Sequence, residues 1–267
     1  MKKFGLQLFT IRDRFQTEED IRSSFRTIAE YGYTEGQTAG AFVTGPESFA
    51  KAAKDAGVSI CGTHYSWDKI KDETDDTMRI HEILGTTNVG IGGMPADARE
   101  SLDALKKFID EANTVAAKLA KQGFKFTYHN HSFEFKKFDG KTMMDYLIEG
   151  FDPSNISFVL DTYWVQHGGY DVCKMIRRLA GRIDILHLKD MGACKAISLG
   201  EGKGSINVPY ITEIGNGNIN FEEIIPLAES TGVKSFVVEQ DNGFIDGDCF
   251  RSIKVSADYI KANLLEK

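Results

Sequence analysis

Short apolar or β-branched runs alternate with longer amphipathic stretches along most of this chain. Eight of the short runs are typical of strands that are buried on both faces, and most begin 24 to 36 residues after the previous one. The runs cover residues 4–9, 34–37, 58–65, 88–94, 124–131, 156–164, 183–189 and 234–239. This spacing accommodates one strand, one helix and two short loops, so it predicts a parallel α/β sheet.

The stretches between the runs predict helices, and two of them carry recognisable start signals. Thr17 with Asp20 predicts an N-terminal cap, and Asn220 with Glu223 predicts a capping box. Pro226 lies inside the second of these helices, where we expect it to produce a kink or a late start.

Eight strand–helix units without a break in composition favour one closed (β/α)8 TIM barrel, with residues 1–267 as a single domain, over an open doubly wound sheet. The exception to the regular spacing is the gap of 51 residues before the last run. Its glycines predict a mobile loop inserted after strand 7; they are Gly200, Gly202, Gly204, Gly215 and Gly217. In such a barrel the functional side chains belong at the C-terminal ends of the strands.

The last four strands each run from largely apolar residues into a residue that can bind a metal. These residues are His129, Asp161, His187 and Glu239. A buried carboxylate needs a cation or several donors. A mixed oxygen and nitrogen set suits a divalent metal ion, Mn²⁺ first, with Co²⁺, Zn²⁺ or Mg²⁺ as alternatives, and argues against a thiolate zinc site or an all-oxygen Ca²⁺ site.

Two further candidates follow strand 5 in the segment HNHSFEF. His131 lies two residues beyond His129 and therefore on the same side of the strand. It is either a ligand or a partner that orients a ligand. Glu134 either folds back over the site, as a ligand or a base, or is an exposed loop acid.

Other polar and aromatic residues near strand ends would face the same opening. Arg12 and Lys189 could hold a hydroxyl or a phosphate. Trp67 and Trp164 suit stacking on the apolar face of a sugar ring, or packing at the rim. The candidates for substrate binding are Gln7, Arg12, His64, Trp164 and Asp190.

The overall charge narrows the range of partners. The chain has 32 Lys and Arg against 39 Asp and Glu, a net charge of −7, which disfavours nucleic acid and anionic lipid. Four cysteines form no CxxC pair, and no apolar stretch approaches the roughly 18 residues that a membrane span requires. We therefore expect a cytoplasmic, reduced protein with a small-molecule carbohydrate substrate and no nucleic-acid or membrane partner. Association into a homo-oligomer is left open.

Taken together, these residues resemble the xylose isomerase-like barrel superfamily of sugar phosphate isomerases and epimerases, which also includes inosose dehydratases and relatives of endonuclease IV. The resemblance spans essentially the whole chain and is carried by GLQLFTIRD, YHNHSFEF, LDTYWVQHGG, GRIDILHLKDM, GNGNINFEEI and FVVEQDN. In that superfamily Glu, Asp, His and Glu from strands 5 to 8 hold the metal, which implies Asp161, His187 and Glu239 here. Because His129 stands where the family has Glu, the fourth ligand is His129 or Glu134.

The chemistry implied is isomerisation or epimerisation of a sugar, keto-sugar or cyclitol, phosphorylated or not, through an enediolate. Glu239 or Glu134 would remove the α proton. If a β hydroxyl leaves instead, the same site acts as a dehydratase, with His131 or Lys189 as the acid. An apurinic endonuclease-like phosphodiesterase is disfavoured by six histidines and the negative charge, and a non-catalytic sugar-binding barrel is the remaining alternative.

Overall fold

The computed structural model describes residues 1–40, 43–200 and 203–266. Eight parallel strands form the predicted (β/α)8 TIM barrel. The strands are β1 Gly5–Gln7, β2 Glu35–Thr38, β3 Ser59–Thr63, β4 Asn88–Ile91, β5 Lys125–His129, β6 Ile156–Asp161, β7 Ile183–Leu188 and β8 Ser235–Val238. Their order in the sheet is β3-β2-β1-β8-β7-β6-β5-β4. The amide of Tyr65, just after β3, donates to the carbonyl of Gly90 in β4 at 2.7 Å, which brings the two edges together.

The helices surround this sheet, and both predicted caps form a hydrogen bond at the helix start. Thr17 accepts the amide of Asp20 at 3.1 Å, and Asn220 accepts the amide of Glu223 at 3.3 Å. The capping box is incomplete, because the Glu223 carboxylate accepts from the Asn220 side chain and not from its backbone amide. The helix capped by Asn220 includes Pro226 without a delayed start. The α-helices are α1 Glu18–Glu30, α2 Pro46–Asp55, α3 Trp67–Asp72, α4 Thr74–Leu84, α5 Leu102–Ala120, α6 Met143–Gly150, α7 Thr162–His167, α8 Val172–Arg178, α9 Phe221–Ser230 and α10 Cys249–Asn263. Short 3₁₀ helices cover Leu8–Arg14, Asp97–Arg99, Phe133–Phe135 and Ile245–Gly247.

The main apolar core lies between the sheet and the helices, and one predicted site residue belongs to it. The Trp67 ring is buried, with its centroid 5.2 Å from that of Phe108 and 5.8 Å from that of Phe126. Trp67 therefore packs between α5 and β5, and the prediction that it stacks on a sugar is replaced by a core role. Inside the barrel, Val159, Ile185 and Val237 form a second, smaller cluster.

The long insertion after β7 forms an antiparallel hairpin, where its glycines predicted a loop. Its strands are Asp190–Ser198 and Ser205–Thr212, and Ile197 pairs directly with Ile206. The cross-strand pair of two β-branched apolar residues supports this pairing. The described glycines that predicted a loop lie between the strands or beyond the second one. Gly202 lies outside the described residues. Within the described part of the chain, no helix combines the length and apolar character needed to cross a membrane.

Candidate metal centre

Four potential ligands converge at the C-terminal mouth of the barrel. His129 ends β5, Asp161 ends β6, His187 lies near the end of β7, and Glu239 directly follows β8. Each offers one ligand atom, and these four atoms lie within 4.8 Å of one another. The convergence follows from topology, because parallel barrel strands all deliver their C-terminal ends to one opening.

The separations between these atoms fit a single coordinated ion. His129 Nε2 lies 3.5 Å from Asp161 Oδ2 and 3.8 Å from Glu239 Oε2. His187 Nδ1 lies 3.7 Å from Asp161 Oδ2 and 2.9 Å from Glu239 Oε2. Ligand atoms about 2.1 Å from a tetrahedral metal are about 3.4 Å apart. The observed separations lie on both sides of that value.

Two of the ligand atoms also lack a hydrogen bond in the described part of the chain. Among the described residues, His129 Nε2 and Asp161 Oδ2 are buried without a hydrogen bond. Buried polar atoms are normally satisfied, so two unsatisfied atoms 3.5 Å apart fit the binding of one cation between them. The four residues could therefore hold a divalent metal ion, and their mixed nitrogen and oxygen donors suit Mn²⁺, Co²⁺ or Zn²⁺.

His187 shows how the protein prepares one of these ligands. Its Nδ1 contacts Glu239 Oε2 at 2.9 Å, and its Nε2 contacts Gln37 Oε1 at 2.5 Å. Burial opposes a charged imidazole, but Glu239 and Asp161 outweigh it and raise the pKa of His187 to about 9. A metal on Nδ1 would replace that proton, while Gln37 would keep the ring oriented through Nε2–H.

Lys189 sits beside the four ligands and neutralises part of their charge. Its Nζ lies 2.6 Å from Asp241 Oδ2, 3.1 Å from Glu239 Oε2 and 3.5 Å from Asp161 Oδ2. Burial opposes the ammonium, but these carboxylates raise the pKa of Lys189 above its usual value. Lys189 thus stays charged. Its Nζ also lies 5.1 Å from the centroid of the half-buried Trp164 ring.

Asp241 is a site residue that the sequence analysis missed. It lines the cavity and forms the shortest of the Lys189 ion pairs. A signal was present in the sequence, because Asp241 follows Glu239 by two residues and polar residues at this spacing tend to share a side of an extended chain.

A cavity of about 590 Å³ opens beside the four ligands, a size suited to a small molecule. Polar side chains and two aromatic rings line it, and His129 and Glu239 form part of its wall. The aromatic rings are those of Phe9 and Tyr65, and the further polar side chains are those of His64, Ser66, His131, Lys189 and Asp241.

His64 faces the cavity and is held from behind by Gln7. The Gln7 amide nitrogen contacts His64 Nδ1 at 3.2 Å, and the Gln7 oxygen accepts the amide of Phe9 at 3.2 Å. Burial is the largest cause that lowers the pKa of His64, and the nearby His129 lowers it further. Both residues were predicted to bind substrate, and the structure places His64 at the cavity and Gln7 behind it.

His131 lines the cavity, and its ring stacks on Phe133, which in turn contacts the guanidinium of Arg99. Its ring lies parallel to that of Phe133, with centroids 5.4 Å apart, and the guanidinium of Arg99 lies 3.7 Å from the Phe133 centroid. Among the described residues, His131 Nδ1 is buried without a hydrogen bond. Burial lowers the pKa of His131 to about 3, so the ring is neutral near pH 7.

Glu134 is buried rather than exposed, and its oxygens point away from the four ligands. One accepts the hydroxyl of Tyr128 at 2.7 Å, and the other accepts the amide of His131 at 2.8 Å. Burial raises the pKa of Glu134 to about 7, although these hydrogen bonds partly offset it. Of the two alternatives for the fourth ligand, the structure thus brings His129 to the group and uses Glu134 to hold the loop.

Asp190, predicted to bind substrate, is occupied elsewhere. Its buried carboxylate accepts the amides of Met191, Gly215, Gly217 and Ile219 at 2.8 to 3.1 Å. These bonds tie the base of the hairpin to the loop that follows it. The structure therefore gives Asp190 a part in loop geometry and does not place it in the cavity wall.

Arg12 lies at the rim rather than inside the cavity. Its terminal nitrogens donate to the carbonyl of Phe9 at 2.9 Å and to that of Asp241 at 3.3 Å. Its guanidinium carbon lies 4.2 Å from the centroid of the Phe9 ring. Arg12 thus braces two residues of the cavity wall.

Comparison with known proteins agrees with this architecture. Residues 25–245 match the family of xylose isomerase-like TIM barrels, and the chain belongs to that family. An inosose dehydratase of Geobacillus thermodenitrificans is 28% identical over 152 residues, which are 55% of this chain and 49% of that protein. The chain spans about half the length of the curated relatives it matches.

Solved structures show the same fold over the whole length. A sugar phosphate isomerase/epimerase from Parabacteroides distasonis has a TM-score of 0.81 at 24% identity, covering 100% of this chain and 96% of that one. A D-psicose 3-epimerase from Clostridium cellulolyticum, solved with D-tagatose, has a TM-score of 0.70 at 14% identity, covering 99% and 100%. At these identities the likeness shows the fold alone.

Proposed function

We propose that this protein is a metal-dependent isomerase or epimerase of a sugar, keto-sugar or cyclitol. The observation that carries the proposal is the buried group of His129, Asp161, His187 and Glu239. Two of its ligand atoms have no hydrogen bond in the described chain, and His129 and Glu239 line a cavity of small-molecule size. The names of the structural neighbours from Parabacteroides distasonis and Clostridium cellulolyticum support the same class of reaction.

The four ligands would hold the ion, and the ion would supply Lewis-acid polarisation of a substrate carbonyl and its neighbouring hydroxyl, worth several kcal/mol. Glu239 is the carboxylate at the cavity wall that accepts the α proton. Lys189, 3.1 Å away, stabilises the negative charge on that carboxylate before transfer. Glu134 does not serve as the base, because both of its oxygens are already engaged.

Glu239 also returns the proton. Once its carboxylate has taken the α proton, the resulting carboxyl passes that proton to the neighbouring carbon, which completes an isomerisation without a second acid. His131 lines the cavity, but burial keeps its imidazole neutral near pH 7, so it serves as a hydrogen-bond partner for a substrate hydroxyl. Stacking on Phe133 keeps the imidazole plane in one orientation. Glu239 alone would then do the work of the pair of glutamates that the resemblance implied.

A dehydratase is the second candidate, favoured by the 28% identity with an inosose dehydratase. The same α proton would leave to Glu239, and an acid would protonate a departing β hydroxyl. Lys189 is a poor acid for this step, because three carboxylates hold its proton. The carboxyl of Glu239, protonated in the first step, is therefore the acid: it passes that proton to the β hydroxyl, which leaves as water.

The test is exchange of substrate α protons with D₂O, followed by NMR on a panel of keto-sugars and inososes. We expect exchange with the protein as purified, loss after chelation, and recovery when Mn²⁺ is restored. Exchange that survives complete metal removal would contradict the proposal. An unsaturated or deoxy product accompanying the exchange would identify the dehydratase.

A further inference from the structure

The cavity has little positive charge to offer a substrate. Lys189 is the one lysine or arginine among the described residues that line it. Its side chain is 1% exposed, and its Nζ is already paired with Asp241, Glu239 and Asp161. A phosphate group that entered the cavity would have to compete with these carboxylates for the same ammonium.

The metal would not leave a surplus of positive charge either. The two positive charges of a divalent ion and the one on Lys189 balance the three negative charges on Asp161, Glu239 and Asp241. The loaded site is then neutral as long as the surrounding imidazoles are neutral. A phosphate dianion in this site would lose its hydration without gaining a counter-charge, which is strongly unfavourable.

The remaining polar groups of the wall suit hydroxyl groups instead. His64 Nε2 and His131 Nδ1 are buried and, within the described chain, without hydrogen bonds. A hydroxyl can donate to or accept from either ring nitrogen, whichever tautomer is present. The rings of Phe9 and Tyr65 add apolar surface that fits the C–H face of a sugar or cyclitol.

We propose that the cavity takes an uncharged polyhydroxylated substrate and discriminates against the phosphate ester of that substrate. This inference rests on the proposed function, because it names the substrate class of the same site. The name of the Parabacteroides distasonis structure, a sugar phosphate isomerase/epimerase, would suggest the opposite preference.

Arg12 is the residue through which the proposal could fail. It lies at the rim, and its guanidinium braces Phe9 and Asp241. A guanidinium has five donors, so Arg12 could hold a phosphate at the mouth of the cavity if that phosphate reached outward. Under the proposal, Arg12→Ala leaves the ratio of affinities for neutral and phosphorylated ligands unchanged.

The experiment is calorimetric titration of the Mn²⁺-loaded protein with matched pairs of ligands. The pairs are D-fructose with D-fructose 6-phosphate and myo-inositol with myo-inositol 1-phosphate, extended to other keto-sugars and their esters. We expect the neutral member to bind at least about tenfold more tightly wherever a pair binds, equivalent to about 1.4 kcal/mol. Equal or tighter binding of the esters would overturn the inference, and so would an altered ratio of affinities in Arg12→Ala. Either result would leave the proposed function intact.

Asp241→Asn tests the charge argument itself. This change removes the closest partner of Lys189, so the preference for the neutral ligand should shrink by about tenfold. Asp246→Asn is the matched control, because it removes one negative charge from an exposed ion pair with Arg251. If Asp241→Asn prefers the neutral ligand as strongly as the unaltered protein does, the charge argument is refuted. If the unaltered protein binds no ligand of any pair, both the inference and the proposed function are overturned.

Discussion

Two buried aspartates on neighbouring strands show how the two ends of this barrel differ. At the N-terminal end of β7, Asp184 pairs with Lys234 at 2.9 Å and accepts the hydroxyl of Ser157 at 2.8 Å. At the C-terminal end of β6, Asp161 accepts the amide of Trp164 with one oxygen. Its other oxygen is among the buried atoms without a hydrogen bond in the described chain. Burial of a carboxylate is common to both ends. What distinguishes Asp161 from Asp184 is that its unsatisfied oxygen lies 3.5 Å from the equally unsatisfied Nε2 of His129, so that both atoms can bind one ligand.

The histidines repeat this contrast. His81 is fully buried in α4, where its Nδ1–H donates to the Thr77 carbonyl at 2.6 Å and its Nε2 accepts from the Thr63 hydroxyl at 2.8 Å. His129 and His131, at the mouth of the barrel, each keep one buried ring nitrogen unpartnered among the described residues. A paired histidine contributes to the core, whereas the unpaired ones are available to a metal or a substrate.

The largest expected effect comes from exchanging the two aspartates for their amides. Asp161→Asn should lower the affinity for Mn²⁺ by more than about 100-fold, because it replaces a ligand oxygen, and loss of even an outer partner costs about 10- to 100-fold. Asp184→Asn should leave metal affinity unchanged and lower the free energy of unfolding by about 2 kcal/mol. Titration with Mn²⁺ measures the metal affinity, and urea unfolding measures the free energy of unfolding. Equal metal affinity in both variants would remove the distinction between the two ends.

His81 should make stability depend on pH in a defined window. Burial is the main cause that lowers its pKa to about 4, against about 6.5 in the unfolded chain. The unfolded state therefore binds more protons between these values, and stability falls as pH drops from about 6.5 to 4, by about 3 kcal/mol. His81→Gln should remove that part of the slope in urea unfolding at several pH values. An identical slope in the variant would show that other groups cause it.

A smaller effect is expected at Glu134, which tests the assignment of the fourth ligand. Glu134→Gln places an NH₂ group against either Tyr128 or the His131 amide, so the free energy of unfolding should fall by about 1 to 3 kcal/mol. Metal stoichiometry should stay the same, because His129 and not Glu134 belongs to the converging group. Loss of the metal from this variant, with the fold retained by circular dichroism, would return Glu134 to the ligand set.

Much of the fold was predictable because buried parallel strands require apolar runs at regular spacing. Seven of the eight strands lie inside the predicted runs, and β2 extends one residue further, to Thr38. The hairpin after β7 was not predictable in the same way. Its glycines suggested a loop, and only pairing between its two halves made it a sheet.

The site was predictable where it depended on strand ends and unpredictable where it depended on loops. His129, Asp161, His187 and Glu239 all lie where a barrel places functional side chains. Asp190 is one residue beyond Lys189, yet its carboxylate is taken up by four backbone amides, three of them from residues at least 25 positions away. No local pattern reports such long-range bonds.

The sequence by itself determined the alternation of eight strands with helices and the metal-binding type of side chain at the end of each of the last four strands. Both depend only on the local order and periodicity of residues. Only the tertiary structure decided which of those side chains meet. It turned Glu134 toward Tyr128, placed Trp67 in the core, and brought Asp241 onto Lys189. The physical reason is that barrel register and loop paths set the distances between side chains from different strands, and these distances determine which polar atoms are satisfied and which are left for a ligand.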